Sequence, residues 1–151
     1  MEKLNIGIIR EGKTPMDKRV PILPAQASLI KEKYPQIEIF CQRSDIRCAK
    51  DSEYEAAGIP VVDDIAHCDT LFGVKEVPIN HLIDRKTYFF FSHTIKKQPY
   101  NLNLLREIIK KKIRLIDYET LTDQKNNRII AFGRFAGIVG AYNGLLTFGK
   151  K

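Results

Sequence analysis

The sequence predicts an α/β domain of three layers, Rossmann-like or flavodoxin-like, on a mainly parallel sheet. Two observations carry this. Short apolar runs bounded by turn signals alternate with segments of helical periodicity along the whole chain. The runs are almost continuously apolar and rich in β-branched and aromatic residues. That suits strands covered on both faces better than the alternating pattern of a half-exposed antiparallel sheet. A length of 151 residues and a hydrophobic content of 44% supply one core of ordinary size.

The strands are expected at LNIGII (4–9), IEIFC (37–41), PVV (60–62), TLFGV (70–74), TYFFF (87–91) and IRLIDY (113–118). Pro24 suits the first turn of a helix that stops at Tyr34-Pro35, because proline lacks the N–H that a first turn cannot use. Asp51 is placed to cap SEYEAAG, with Gly58 at its C-terminal end. In NLNLLREIIKKK (101–112), Leu104, Leu105, Ile108 and Ile109 make one apolar stripe, and Lys110, Lys111 and Lys112 complement the negative end of the helix dipole. Gly133, Gly137, Gly140 and Gly144 follow in FGRFAGIVGAYNG. Their spacing is not G-x-G-x-x-G, and suits close approach of helices rather than a phosphate loop.

Composition narrows the function classes. The 25 Lys and Arg are scattered among 18 Asp and Glu without a recognition motif, so the net charge of +7 does not point to nucleic acid. Basic residues bordering a pocket for dicarboxylates account for it equally well. No apolar run approaches the ~20 residues that span a bilayer, and a cytoplasmic, soluble protein is expected. Cys41, Cys48 and Cys68 are odd in number and irregular in spacing, which argues against a disulfide framework. With His67 they lack the C-x-x-C or H-x-x-x-H spacing of a zinc site, so no metal is expected.

In an open parallel sheet, ligands bind beyond the carboxyl ends of the strands. The residues just past the expected strands are Arg10-Glu11-Gly12-Lys13, Lys75-Glu76, Ser92-His93-Thr94-Ile95-Lys96 and Tyr118-Glu119. They deliver an imidazole, ammonium groups and a guanidinium to one edge. Arg10, Arg19 and Arg128 offer planar forks for carboxylates. Lys75 and Lys96 lie beside apolar strands, where desolvation favours the neutral amine, and His93 is a natural proton shuttle. Taken singly, each of these residues is better read as a surface ion pair or a strand end without chemistry.

Five segments carry a resemblance: REGKTPMDKRVPILP (10–24), SDIRCAKDSEYEAAGIPVVDDIAHCDTLFGVKEVP (44–78), FFFSHTIKKQPYN (89–101), IRLIDYE (113–119) and RIIAFGRFAG (128–137). Together they resemble the N-terminal domain of the saccharopine dehydrogenase and lysine-ketoglutarate reductase family, which is related to the alanine dehydrogenase and transhydrogenase N-terminal domain. GVKEVP followed by FFSHTIKKQPYN leans towards the lysine-ketoglutarate reductase branch. The resemblance implies an enzyme of lysine metabolism with two related domains and an active site between them. It joins lysine and 2-oxoglutarate through an imine that NAD(P)H reduces to saccharopine, or runs in reverse.

By that resemblance, Lys75 and His93 are the acid–base pair. Lys96 supports substrate charge; Arg10, Arg19 and Arg128 hold carboxylates; Gln98 is a further polar contact. NAD or NADP belongs to a second domain that these residues do not supply. The expectation is a substrate-side domain over 1–151, inactive alone, with the inter-domain helix beginning at about 130–151. An exposed inter-domain face would favour self-association. An alanine dehydrogenase-like fragment and a stand-alone amino-acid-binding domain are the other readings of the same features.

Overall fold

The computed structural model describes residues 3–150, which divide into two compact units, one ending at Tyr118 and the other beginning at Glu119. All six expected strands form in the first unit: β1 (Leu4–Ile8), β2 (Ile37–Gln42), β3 (Val61–Val62), β4 (Thr70–Phe72), β5 (Thr87–Phe90) and β6 (Arg114–Asp117). They make one sheet of order β3-β2-β1-β4-β5-β6, and every pairing is parallel. This order reverses direction between β1 and β4, so the crevice of a doubly wound fold opens where those two strands end. Of the two fold names the sequence allowed, this is the Rossmann order.

Helices cover both faces. On one, α1 (Pro24–Lys33) and α2 (Asp51–Ala56) lie over a core of Ile6, Ile8, Ile39, Cys41, Tyr54 and Ile59. On the other, α3 (Leu102–Lys110) packs Leu104 and Ile108 against Leu71, Tyr88 and Phe90. Because sheet residues alternate between faces, β2, β3 and β4 feed both cores, and this is why their runs read as continuously apolar. Phe89 points the other way from Phe90 and stacks on Phe72, ring centroids 4.4 Å apart.

Three local expectations are revised. The strand expected over 70–74 leaves the ladder after Phe72, because the Val74 amide donates to the Glu11 carboxylate at 2.7 Å instead of to a neighbouring strand. Asp51 is the first residue of α2 rather than its cap. Its carboxylate is drawn to the Arg47 guanidinium, and Glu53 reaches back to the Lys50 amide. The α3 stripe splits: Leu104 and Ile108 are buried while Leu105 and Ile109 are exposed, since nine residues crossing one sheet face bury only a narrow strip. Gly58 does follow α2 in the left-handed region, at φ 74°.

The second unit holds α4 (Gly133–Gly149), in which no residue is buried. Nothing lies within 4 Å of where a Cβ would stand on its glycines. Ahead of it, Asp123 accepts from the Lys125 and Asn127 amides and closes a short turn. Among the described residues, no helix is long and apolar enough to cross a membrane.

Candidate active site

The crevice between β1 and β4 is closed by a side chain. Glu11, three residues beyond β1 and 9% exposed, accepts from the backbone amides of Val74 (2.7 Å) and Lys75 (2.9 Å) at the end of β4. Burial pushes its carboxyl above the ordinary value, against the lowering effect of those two amide bonds. Gly73 beside it makes room for Ile9, since a Cβ there would meet Ile9 Cδ1 at 2.6 Å. Glu11 therefore fixes the backbone from which Lys75 projects.

Lys75 and His93 leave adjacent strand ends, held side by side by the Phe91 amide donating to Val74 O at 3.0 Å. Glu76 follows Lys75 in the chain and faces His93. Its Oε2 takes the Lys13 ammonium at 2.6 Å, while the buried Oε1 has no hydrogen-bond partner among the described residues and lies 4.0 Å from His93 Nε2. The other imidazole nitrogen, Nδ1, faces the Lys96 ammonium at 3.2 Å, and the ring stacks loosely on Phe91. At 19% side-chain exposure, His93 is reachable yet mostly shielded. The imidazole thus stands between a carboxylate and an ammonium.

Arg19 is held as well. Its Nε donates to Asp17 Oδ1 at 2.9 Å and its Nη2 to Oδ2, a two-pronged pair that depresses the Asp17 carboxyl below its ordinary value. The Asp17 carboxyl also feels the Lys75 charge, and Glu11 feels both Asp17 and Arg19. Glu76, His93 and Lys96 are thus brought together, while Lys75 leaves the adjacent strand end within electrostatic reach of Asp17, which with Arg19 is coupled to Glu11.

Two expected site residues lie elsewhere, and a third belongs to the second unit. Arg10 lines a separate cavity of about 240 Å³ with Gln42, His81 and Tyr88, from which Lys75 and His93 are absent. Its backbone N–H donates to Gln42 Oε1 at 3.1 Å. Gln98 accepts from the Tyr100 hydroxyl and borders an apolar hollow with Leu102 and Leu105. Arg128 belongs to the second unit, where its Nη1 is 3.5 Å from Glu119 Oε1.

Sequence reasoning passed over Glu11, Glu76, Asp17, Ser92 and Asp117. The first two stood among the strand-end residues, but an acid in a loop carries no signal that it will be buried. Among the described residues no cluster of His, Cys, Asp and Glu could hold a metal. Cys41 and Cys68 are buried in separate cores, and His67 packs edge-on against Phe40.

A dinucleotide in a sheet of this order lays its pyrophosphate on a glycine-rich turn after the first strand. Here that turn reads Ile9-Arg10-Glu11-Gly12-Lys13, and a carboxylate already occupies the amides at the crevice. These residues do not fit a pyrophosphate.

The fold and site define an α/β domain that gathers ionisable side chains at the carboxyl edge of its sheet. The chain belongs to the alanine dehydrogenase/PNT N-terminal domain family, which it matches over residues 7–139. The mitochondrial alpha-aminoadipic semialdehyde synthase of Mus musculus is 41% identical over 143 residues, 94% of this chain and 15% of that protein. The NAD+, L-lysine-forming saccharopine dehydrogenase of Schizosaccharomyces pombe is 31% identical over 139 residues, 88% of this chain and 37% of that protein. In fold, an L-alanine dehydrogenase superposes with a TM-score of 0.67 at 18% identity, covering 82% of this chain and 35% of that one. The chain spans well under half the length of each of these relatives.

Proposed function

We propose that residues 1–151 are the substrate-side domain of an oxidoreductase that interconverts saccharopine with lysine and 2-oxoglutarate through an imine. The observation that carries this reading is the cluster of Lys75, Glu76 and His93 at adjacent strand ends. Its support is the similarity to the two lysine-pathway relatives. Hydride chemistry would belong to NAD or NADP on a nucleotide-binding domain outside this chain, reached through a helix beginning at about 130–151.

The residues here would move protons. Lys75 exchanges the proton of the substrate's secondary amine. His93 protonates the departing hydroxyl as the carbinolamine becomes an imine, and takes a proton from water in the opposite direction. The Glu76 oxygen 4.0 Å from Nε2 steadies the imidazolium that this requires. Lys96 and Arg19 supply positive charge for the substrate's carboxylates.

The test is saccharopine-dependent NADH or NADPH formation by the full-length protein. Lys75→Met combined with His93→Gln should lower turnover by at least ~10²-fold with dinucleotide affinity unchanged. Wild-type rates in that double variant would remove the assignment, and preference for alanine over saccharopine would transfer the site to amino-acid deamination.

A further inference from the structure

His93 is held in an uncommon backbone conformation by its fully buried neighbour. Its φ is 57°, the left-handed region, which costs a non-glycine residue on the order of 1 kcal/mol. That conformation persists only where the surroundings impose it. Its carbonyl accepts from the Lys96 amide and from Asn101 Nδ2, each at 3.1 Å. The residues on either side are tied through one hydroxyl.

That hydroxyl belongs to Ser92, which is fully buried. Ser92 Oγ donates to Asp117 Oδ2, and Asp117 ends the neighbouring strand, paired in register with Phe90. With its one proton committed to the carboxylate, Ser92 Oγ can only accept from its other partners. Those are the Thr94 amide at 3.2 Å and the Thr94 hydroxyl at 2.8 Å. The serine hydroxyl therefore uses one donor and two acceptor positions, its whole capacity, to clamp the residues flanking His93 onto β6.

We propose that Ser92 is a positioning residue for His93: anchored on Asp117 and bonded twice to Thr94, it fixes the turn that aims the imidazole at Glu76. The inference rests on the reading of His93 as an acid–base group. Alanine at this position removes all three bonds at once and leaves a buried Asp117 oxygen without that donor. The turn then loses its tie to β6, and the imidazole loses its fixed distance to the reacting atoms.

The experiment is a double-mutant cycle of Ser92→Ala and His93→Gln in the full-length enzyme, reading kcat and KM for saccharopine and dinucleotide. Ser92→Ala should lower kcat by about 10- to 100-fold, as an ångström of misplacement does, with both KM values within about twofold. On top of His93→Gln it should lower kcat by less than about twofold, because its effect acts through the imidazole. An equal loss in both backgrounds would overturn positioning and make Ser92 a determinant of the fold alone. So would an unimpaired Ser92→Ala beside an impaired His93→Gln. If His93→Gln itself turns over normally, the acid–base reading fails first, and the inference with it. Should Ser92→Ala not fold, Thr94→Val removes only the hydroxyl given to Ser92, and the same cycle decides with an expected loss of about 3- to 10-fold.

Discussion

Arg47 and Glu76 each bring a charge into the interior beside this sheet, and the two surroundings are built differently. Around Arg47, the Nε donates to Ala49 O at 2.9 Å, Nη1 to Gln42 O at 2.8 Å and to Cys41 Sγ at 2.7 Å, and Nη2 to Asp51. The guanidinium lies 4.6 Å from the Tyr54 ring centroid. The Cys41 thiol, desolvated by burial, is pushed up to about 12 and remains a neutral packing group. Around Glu76, one carboxylate oxygen is paired and the other is buried without a hydrogen-bond partner among the described residues. An unsatisfied buried acceptor costs about 1 to 3 kcal/mol, more when charged, so a cluster left open in this way is shaped for something besides stability. A closed network holds the α2 loop in place; an open one can take a new partner.

The largest effect should come from breaking the closed cluster. Arg47→Met removes the buried partner of Asp51 and leaves the Gln42 and Ala49 carbonyls without that donor, and should lower unfolding free energy by about 3 kcal/mol in urea titration. Turnover per folded molecule should stay within about twofold, because no residue of the Lys75 cluster touches Arg47. A stability loss under about 1 kcal/mol would show that Arg47 is not what secures that loop.

How much of this was readable beforehand follows the same division. The six strands were legible because a sheet covered on both faces needs unbroken apolar runs, and turn residues punctuate them. Lys75, His93 and Lys96 were legible because the carboxyl edge is where a parallel sheet presents its loops. Arg10 was misplaced by the same rule: a loop past a strand end sends successive side chains in different directions, and only Glu11 turned into the crevice. Ser92 was read as the point where the strand becomes polar, and Asp117 as part of a strand. Their bond links residues 25 apart in sequence and depends on β5 and β6 being neighbours. Leu105 and Ile109 matched the helical period, but the period does not say how wide a strip the sheet will cover.

Glu76→Gln sharpens the contrast from the open side. The amide keeps the shape and removes the charge, so unfolding free energy should move by less than about 1 kcal/mol, since only the Lys13 pair at the rim is weakened. Saccharopine turnover should fall by about tenfold, because the imidazolium loses its facing carboxylate. Stability and activity would then move oppositely in the two clusters: Arg47→Met loses the first and keeps the second, and Glu76→Gln does the reverse. A fall of several kcal/mol for Glu76→Gln would place it with Arg47 as a structural charge.

The smallest effect separates two acids beside the open cluster by their response to pH. Burial raises the Glu11 carboxyl above its ordinary 4.5, so the native state binds that proton before the unfolded chain does. Its contribution is complete below pH 4.5 and is lost as pH rises through the raised folded value. The Arg19 hydrogen bonds lower Asp17 below its ordinary 3.8. That contribution is present above pH 3.8 and is lost as pH falls through the lowered folded value. The unfolding free energy of wild type minus Glu11→Gln should therefore climb as the solution is acidified towards 4.5. Wild type minus Asp17→Asn should instead drop on acidification below 3.8. Each slope is bounded at about 1.4 kcal/mol per pH unit, because one proton is exchanged. Two difference curves of the same sign would mean that Glu11 is governed by its two amide bonds rather than by burial, and that the crevice between β1 and β4 is wetter than its packing implies.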